Sequence, residues 1–334
     1  MNKRELYSYT GNKDQLYGVR RLTLDEGSGK GITIYDVTTA GGLQFDVTAD
    51  NGFDIGRLRY KGTNISYLSK NGYTSPDRFD PFENDFVHTF PGGMLYTCGL
   101  RSVGPANRDG DEWHPLHGRY HSIPAVAQYA HIEDDKIVIG GEVYETALFG
   151  HLFRIKRKIT VPVWGSEIYL EDVLENLTPQ VMEYMLLYHW NFGYPMLSEQ
   201  TKLILPENRK TIPRTDDAKK GLGRECEFSS PIDGEPEQVY FHEMNDAKTV
   251  VINNSLGIAA ELGWSHDTLP LLAEWKSMAS GDYVLGLEPS NCYVMGRSAE
   301  RANGTLKVIG PFEKIYMSMK LEFKNIGEIA NKSI

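Results

Sequence analysis

The sequence predicts an all-β fold, an antiparallel sandwich or barrel of large sheets with few short helices. Three observations carry that expectation. Apolar and polar residues alternate through most of the chain, the alternating runs are short and separated by Gly, Pro, Asn and Asp, and helical periodicity is scarce. With 334 residues, 40% of them hydrophobic, the chain can bury a large core, and folds of this class often run to this length as one domain. A single domain over 1–334 is expected, with 1–40 packed on it as an N-terminal extension.

The elements follow in chain order. The segment NKRELYSYTGNKDQLYGVRRL (2–22) leaves room for a helical turn with Asn12 as its cap. GSGKG (27–31) is Gly-rich but lacks P-loop spacing, and reads as a turn. GGLQFDVTAD (41–50), KIVIGGEVYET (136–146), FRIKRKITVPV (153–163) and SEIYLEDVLENL (166–177) alternate as half-buried strands do. KTVVINN (248–254), GIAAELGW (257–264) and TLKVIGPFEKIYMSMKLEF (305–323) do the same. VWGSEI (163–168) and VIGGEV (138–143) read as tight hairpin turns, with Gly supplying the unusual backbone angles. RIKRK (154–158) is basic, but with Phe153, Ile155 and Ile159 alternating through it, it reads as one solvated strand face. Two stretches, SPDRFDPFENDF (75–86) and PRTDDAKKGLGRECEFSSPIDGEPEQ (213–238), are long loops, and loops of that length usually shape a site or cover an edge.

Bulk properties exclude several functions. A net charge of -10 argues against nucleic-acid binding, which needs clustered cations. Three scattered cysteines with no CxxC pair give neither a disulfide framework nor a zinc ribbon. The N-terminus has no apolar signal-like core, and no apolar run approaches the ~18 residues of a membrane helix. A soluble, cytoplasmic protein is expected, with no nucleic-acid or membrane partner. The exposed edges of so large a sandwich allow a homodimer.

Polar residues interrupt this pattern in three places. In LLYHWNFGYP (186–195) taken as a strand, Met185, Leu187, His189 and Asn191 share one face, while Leu186, Tyr188, Trp190 and Phe192 form an aromatic core face. The His189 face turns polar towards its end, as a strand entering a cleft would. By pattern alone, His189 reads most simply as a core histidine satisfied by a neighbour. In YVLGLEPSNC (283–292), Glu288 follows VLGL, and Gly286 on the same face removes bulk where a ligand could approach. Glu288 fits a solvated strand end equally well. GLRSVGPANRDGDEWHPLHGRYHSIPA (99–125) is dense in Arg and His, but the spacing of His114, His117 and His121 fits no metal motif with a defined mechanism, so no cofactor or metal is assigned.

Taken together and in order, PLHGR (115–119), LLYHWNFGYP, and GLEPSN (286–291) with MGR (295–297) resemble the aldose 1-epimerase (galactose mutarotase) superfamily. They are most similar to a bacterial branch catalogued as a domain of unknown function (DUF4432-like). The resemblance spans most of the chain and implies a β-supersandwich whose sheet face carries a sugar cleft. It implies that His189 is the general acid at the sugar ring oxygen and Glu288 the general base at the anomeric hydroxyl. Arg101, His117 and Asn191 would accompany them, Trp275 would offer an apolar wall, and Asp54 and Arg57 would lie nearby.

The residue types suit this chemistry independently, since ring opening needs one proton delivered and one withdrawn, and histidine titrates near working pH. The chain departs from the family in placing Arg119, not a second glycine, after Gly118. If the segment is extended, Arg119 and His121 share a face with His117, which suggests an acidic or modified sugar; Arg119 as an ion-pair partner of an acidic loop is the alternative. The expected function is a cofactor-independent mutarotase acting on a small sugar. A different sugar epimerase or isomerase, metal-assisted or not, and a non-catalytic carbohydrate-binding protein are the alternatives.

Overall fold

The structure, a computed structural model, describes residues 3–82 and 84–326. Every pairing between its named strands is antiparallel, in three main sheets. An eight-stranded sheet runs Val126–Glu133, Lys136–Thr146, Leu152–Pro162, Glu167–Asn176, Lys314–Asn325, Ile258–Trp264, Lys248–Asn253, Thr201–Ile204. A second sheet runs Arg209–Pro213, Gln238–Met244, Leu271–Ala279, Asp282–Ser290, Met182–Phe192, Lys307–Ile309, and Leu95–Leu100 also pairs with Met182–Phe192. The third, five-stranded and built from residues 18–64, contributes Phe45, Ile55 and Leu58 to the shared core. The helices of the described residues are short: Lys3–Tyr9, Phe86–Thr89, Asp216–Gly221 and Arg297–Ala302, with three 3-10 turns. Asn12 caps one of those turns, its side chain accepting the Asp14 amide.

Strand phase decides which side chains meet. Leu186, Tyr188, Trp190 and Phe192 enter the main core beside Ile139, Ile155, Ile159 and Leu170 of the eight-stranded sheet. Met185 and Leu187 point the other way, into a second apolar cluster with Tyr96, Val239, Phe241, Val284, Phe86 and Phe90. The second sheet is thus covered on both faces, and its outer cover includes Phe86, which opens the Phe86–Thr89 helix.

Two sequence expectations need correction. VWGSEI is a hairpin turn, but VIGGEV lies inside the Lys136–Thr146 strand. A side chain at Gly140 would sit 2.3 Å from the Tyr129 ring, and one at Gly141 3.1 Å from Phe53, so these glycines admit aromatic rings and do not turn the chain. RIKRK is not wholly a solvated face. Arg157 falls in the same phase as Phe153, Ile155 and Ile159 and is fully buried. Its guanidinium pairs with Asp172, at 2.7 Å, and with Asp54. It also donates to Thr97 Oγ1 at 3.0 Å, while Tyr188 donates to Asp172 at 2.7 Å. Buried charges survive only when so partnered. The network fastens the N-terminal sheet, the Leu95–Leu100 strand and the eight-stranded sheet to Tyr188, the residue preceding His189.

Candidate active site

The ladder between Met182–Phe192 and Asp282–Ser290 pairs Leu187 with Ser290 and Trp190 with Leu287, which sets His189 directly opposite Glu288. His189 Nε2 lies 3.0 Å from Glu288 Oε1, and both side chains are almost wholly buried. The contact is close but poorly directed. Glu288 Oε1 and His189 Nδ1 complete no hydrogen bond among the described residues, so the pair retains bonding capacity for a ligand. The next row across the sheet places Trp275 opposite Gly286 and Gly286 opposite Asn191. A side chain at Gly286 would meet Glu288 Oε1 at 2.8 Å, His189 Cε1 at 3.0 Å and Trp275 Cβ at 3.2 Å. Glycine there leaves space beside the pair.

Above this floor is a cavity of about 530 Å³, lined by His117, His189, Glu288 and Trp275 among others. That is the size of a small-molecule site. Four aromatic rings, those of Tyr67, Phe86, Phe90 and Trp275, form part of its wall. The Trp275 ring stands edge-on to His189 at 5.3 Å, and Phe90 lies 5.7 Å from the same histidine. Tyr67, Phe86 and Phe90 come from residues 67–90, and Arg214 and Glu237 from the 213–238 segment, so both long loops contribute to the lining. A larger groove of about 670 Å³ lies against the eight-stranded sheet. It is lined by Lys158, Glu171, Lys320 and their neighbours, and no histidine is among its lining residues.

His117 reaches the cavity from a loop pinned to a strand end. Its amide donates to the Gly104 carbonyl at 2.9 Å, and the Gly99 amide donates to the His117 carbonyl at 3.1 Å. His117 and Gly118 both take positive φ, 60° and 78°. A side chain at Gly118 would collide with the Gly99 oxygen at 2.4 Å, so only glycine fits there. The His117 ring lies 6.3 Å from that of His189. Burial first, then the charges of His189, His121 and Arg214, hold its pKa well below the ordinary histidine value. His117 is therefore a neutral hydrogen-bonding group at pH 7.

The remaining residues expected around a sugar are dispersed. Asn191 is fully buried and outside the cavity lining, its amide donating to the carbonyls of Gly93 and His189 at 3.1 and 3.0 Å. Arg101 lies outside the cavity lining, where it donates to Glu112 at 2.7 Å and to the Glu183 carbonyl at 2.8 Å. Asp54 lies outside it too, in the Arg157 network, and Arg57 is 3.5 Å from Asp46. Arg119 is exposed and outside the lining. The extended segment that would have aligned it with His117 is replaced by the left-handed turn and a 3-10 turn, Tyr120–Ser122.

The three histidines of that segment diverge. His121 stacks on Tyr96 at 5.0 Å and bonds the Gly118 carbonyl at 3.1 Å, while His114 is buried 3.8 Å from Glu112. No group of three or more metal-ligating side chains occurs among the described residues.

Residues 29–323 match the family described as a domain of unknown function, DUF4432. The chain belongs to that family. Its fold is shared with solved members of the galactose mutarotase group. A Klebsiella pneumoniae protein described as a candidate aldose 1-epimerase superposes with TM-score 0.83 at 23% identity, over 96% of this chain and 88% of that one. A galactose mutarotase-like protein from Clostridium acetobutylicum gives 0.66 at 14% identity, over 93% and 99%. A galactose 1-epimerase from Lactobacillus acidophilus gives 0.60 at 12% identity, over 92% and 99%. No curated protein matches the chain. No helix among the described residues is long and apolar enough to cross a membrane.

Proposed function

We propose that this DUF4432 member is a sugar 1-epimerase that works without a redox cofactor, with His189 as acid and Glu288 as base. The observation that carries the reading is their 3.0 Å separation at the floor of the cavity. The two oxygens that exchange protons in mutarotation, the ring oxygen and the anomeric hydroxyl oxygen, are bonded to one carbon. An acid and a base side by side therefore serve both from one side of the sugar.

In the forward half-reaction, protonated His189 gives its proton to the ring oxygen, and Glu288 takes the proton of the anomeric hydroxyl. The bond from the anomeric carbon to the ring oxygen breaks, and the hydroxyl oxygen becomes the aldehyde carbonyl. Rotation about the adjacent carbon–carbon bond turns the other carbonyl face inward. On reclosure the attacking hydroxyl returns its proton to His189 while Glu288 protonates the carbonyl oxygen. No atom or electron is gained or lost. Glu288 lies against His189, so acid and base act as one unit, and neutral His117, from the wall of the same cavity, bonds a sugar hydroxyl. The aromatic walls, Trp275 foremost, suit the apolar face of a pyranose.

Magnetisation-transfer NMR across a panel of neutral and acidic aldoses tests the reading. The wild-type protein should raise the exchange rate between α and β anomers of at least one sugar by orders of magnitude over buffer. Saturable binding of a sugar without any increase in exchange would make the protein a binding module instead.

A further inference from the structure

We propose that Arg214 is the specificity residue of this cavity and that it binds a negatively charged substituent on the sugar. The proposal rests on the reading that the cavity holds a sugar, and it names the chemical class of that sugar.

The argument begins with the charged side chains that line the cavity: Lys70, Arg214, Glu237, Asp282 and Glu288. Four of them are engaged within the protein. Lys70 Nζ is 2.6 Å from Asp282 Oδ2, Glu237 accepts the Trp275 indole N–H at 2.8 Å, and Glu288 lies against His189. Of the neutral polar groups, the Asn71 amide is engaged too, donating to the carbonyls of Val87 and Phe90, both at 3.0 Å. The Arg214 guanidinium has no ion pair and no side-chain hydrogen bond among the described residues, and only its backbone amide is bonded, to the Val239 carbonyl at 2.8 Å.

An arginine presents five N–H donors and no acceptor, in a planar fork that fits two oxygens of a carboxylate, phosphate or sulfonate. With no ion-pair partner among the described residues, the Arg214 guanidinium lacks the anion that this geometry suits. The lining also holds the carboxyl groups of Glu237, Asp282 and Glu288, so recognition of an anion is local to the guanidinium. Arg214 also depresses the basicity of His117, so its charge already acts within the site.

The test is equilibrium binding, read from tryptophan fluorescence or calorimetry and independent of turnover. The probes are glucose, glucuronate and glucose 6-phosphate, with the galactose series in parallel. The wild-type protein should bind at least one anionic sugar roughly 10- to 100-fold more tightly than its neutral counterpart, as a bond to a charged group allows. The two anionic arms separate a uronate from a phosphosugar. Arg214→Gln should abolish the preference, and Arg214→Lys, which keeps the charge without the fork, should retain part of it. Circular dichroism of each variant checks that it is folded. Neutral sugars bound as tightly as both anionic ones, no binding of either, or a preference that survives in Arg214→Gln would overturn the proposal. Loss of anomer exchange with the anion preference intact would instead defeat the epimerase reading and leave this one standing.

Discussion

His189 and Glu288 face each other across neighbouring antiparallel strands, Nε2 to Oε1 at 3.0 Å, yet Glu288 Oε1 completes no hydrogen bond among the described residues. A structural ion pair buried this deeply would ordinarily be saturated by further partners. The related buried pair of the same sheet, His242 and Glu274 at 2.9 Å, makes the contrast. There the contact is a proper hydrogen bond, and Thr211 Oγ1 holds the other ring nitrogen at 3.0 Å. Both ring nitrogens of His242 are thus engaged and that pair is sealed from solvent, although Glu274 Oε1, like Glu288 Oε1, completes no hydrogen bond among the described residues; the His189–Glu288 pair instead lines a cavity.

Gly286→Ala tests whether the space beside that pair is functional. The new methyl would press on Glu288, His189 and Trp275 at 2.8–3.2 Å. Anomer exchange should fall by about 10²-fold, as displacement of aligned groups by fractions of an ångström allows. Unfolding in urea should show a loss of no more than about 1–3 kcal/mol, the usual range for overpacking. Unchanged exchange would show that the glycine serves packing alone.

Arg157→Met tests the network beneath the site. It leaves the carboxylates of Asp54 and Asp172 buried without their cation. Stability in urea should drop by about 3–5 kcal/mol. Adding Asp54→Asn and Asp172→Asn should recover much of that loss. If the triple variant is as unstable as the single one, charge is not the cause.

Glu145 carries a pH dependence of known sign. Burial pushes its pKa up from 4.5 to about 7, against the stabilising Leu100 amide, which donates to it at 2.7 Å. Its neutral form is the one the fold favours, so its contribution is complete below pH 4.5 and is lost as pH rises through about 7. The stability of Glu145→Gln relative to wild type should therefore increase by about 3 kcal/mol between pH 4.5 and pH 8. Nearby His151, lowered to about 4, acts in the opposite sense: its contribution is present above its ordinary value of 6.5 and fades as pH falls towards 4. Parallel pH curves for the two proteins would show that Glu145 is not held neutral.

Strand phase was legible in the sequence, and with it the separation of the His189 face from the aromatic core. Phase also contained the clue to Arg157, which shares the face of Phe153, Ile155 and Ile159; the density of basic residues around it concealed an inward charge. Register between strands remote in sequence was not legible, because a one-residue slip puts every side chain on the other face. The meeting of His189 with Glu288 therefore needed the ladder.

Loops were the least legible part. The location of Arg119 turned on a left-handed residue at His117, a conformation uncommon outside glycine. Arg214 sits in an irregular segment that carries no periodic signal, only a length suggesting that it shapes something. The glycines of VIGGEV show the same limit from the other side, since a turn and a close aromatic contact use the same residue type.

The central claim is that His189 and Glu288 together move protons at the anomeric centre. Its most direct test is anomer exchange by Glu288→Gln and His189→Asn, on the sugar that the wild-type protein turns over fastest, with binding of that sugar measured in parallel. Each variant should still bind the sugar within a few-fold and lose about 10²–10⁴-fold in exchange rate, the range of a positioned acid or base. Exchange at the wild-type rate in either variant, with the sugar bound, would contradict the claim.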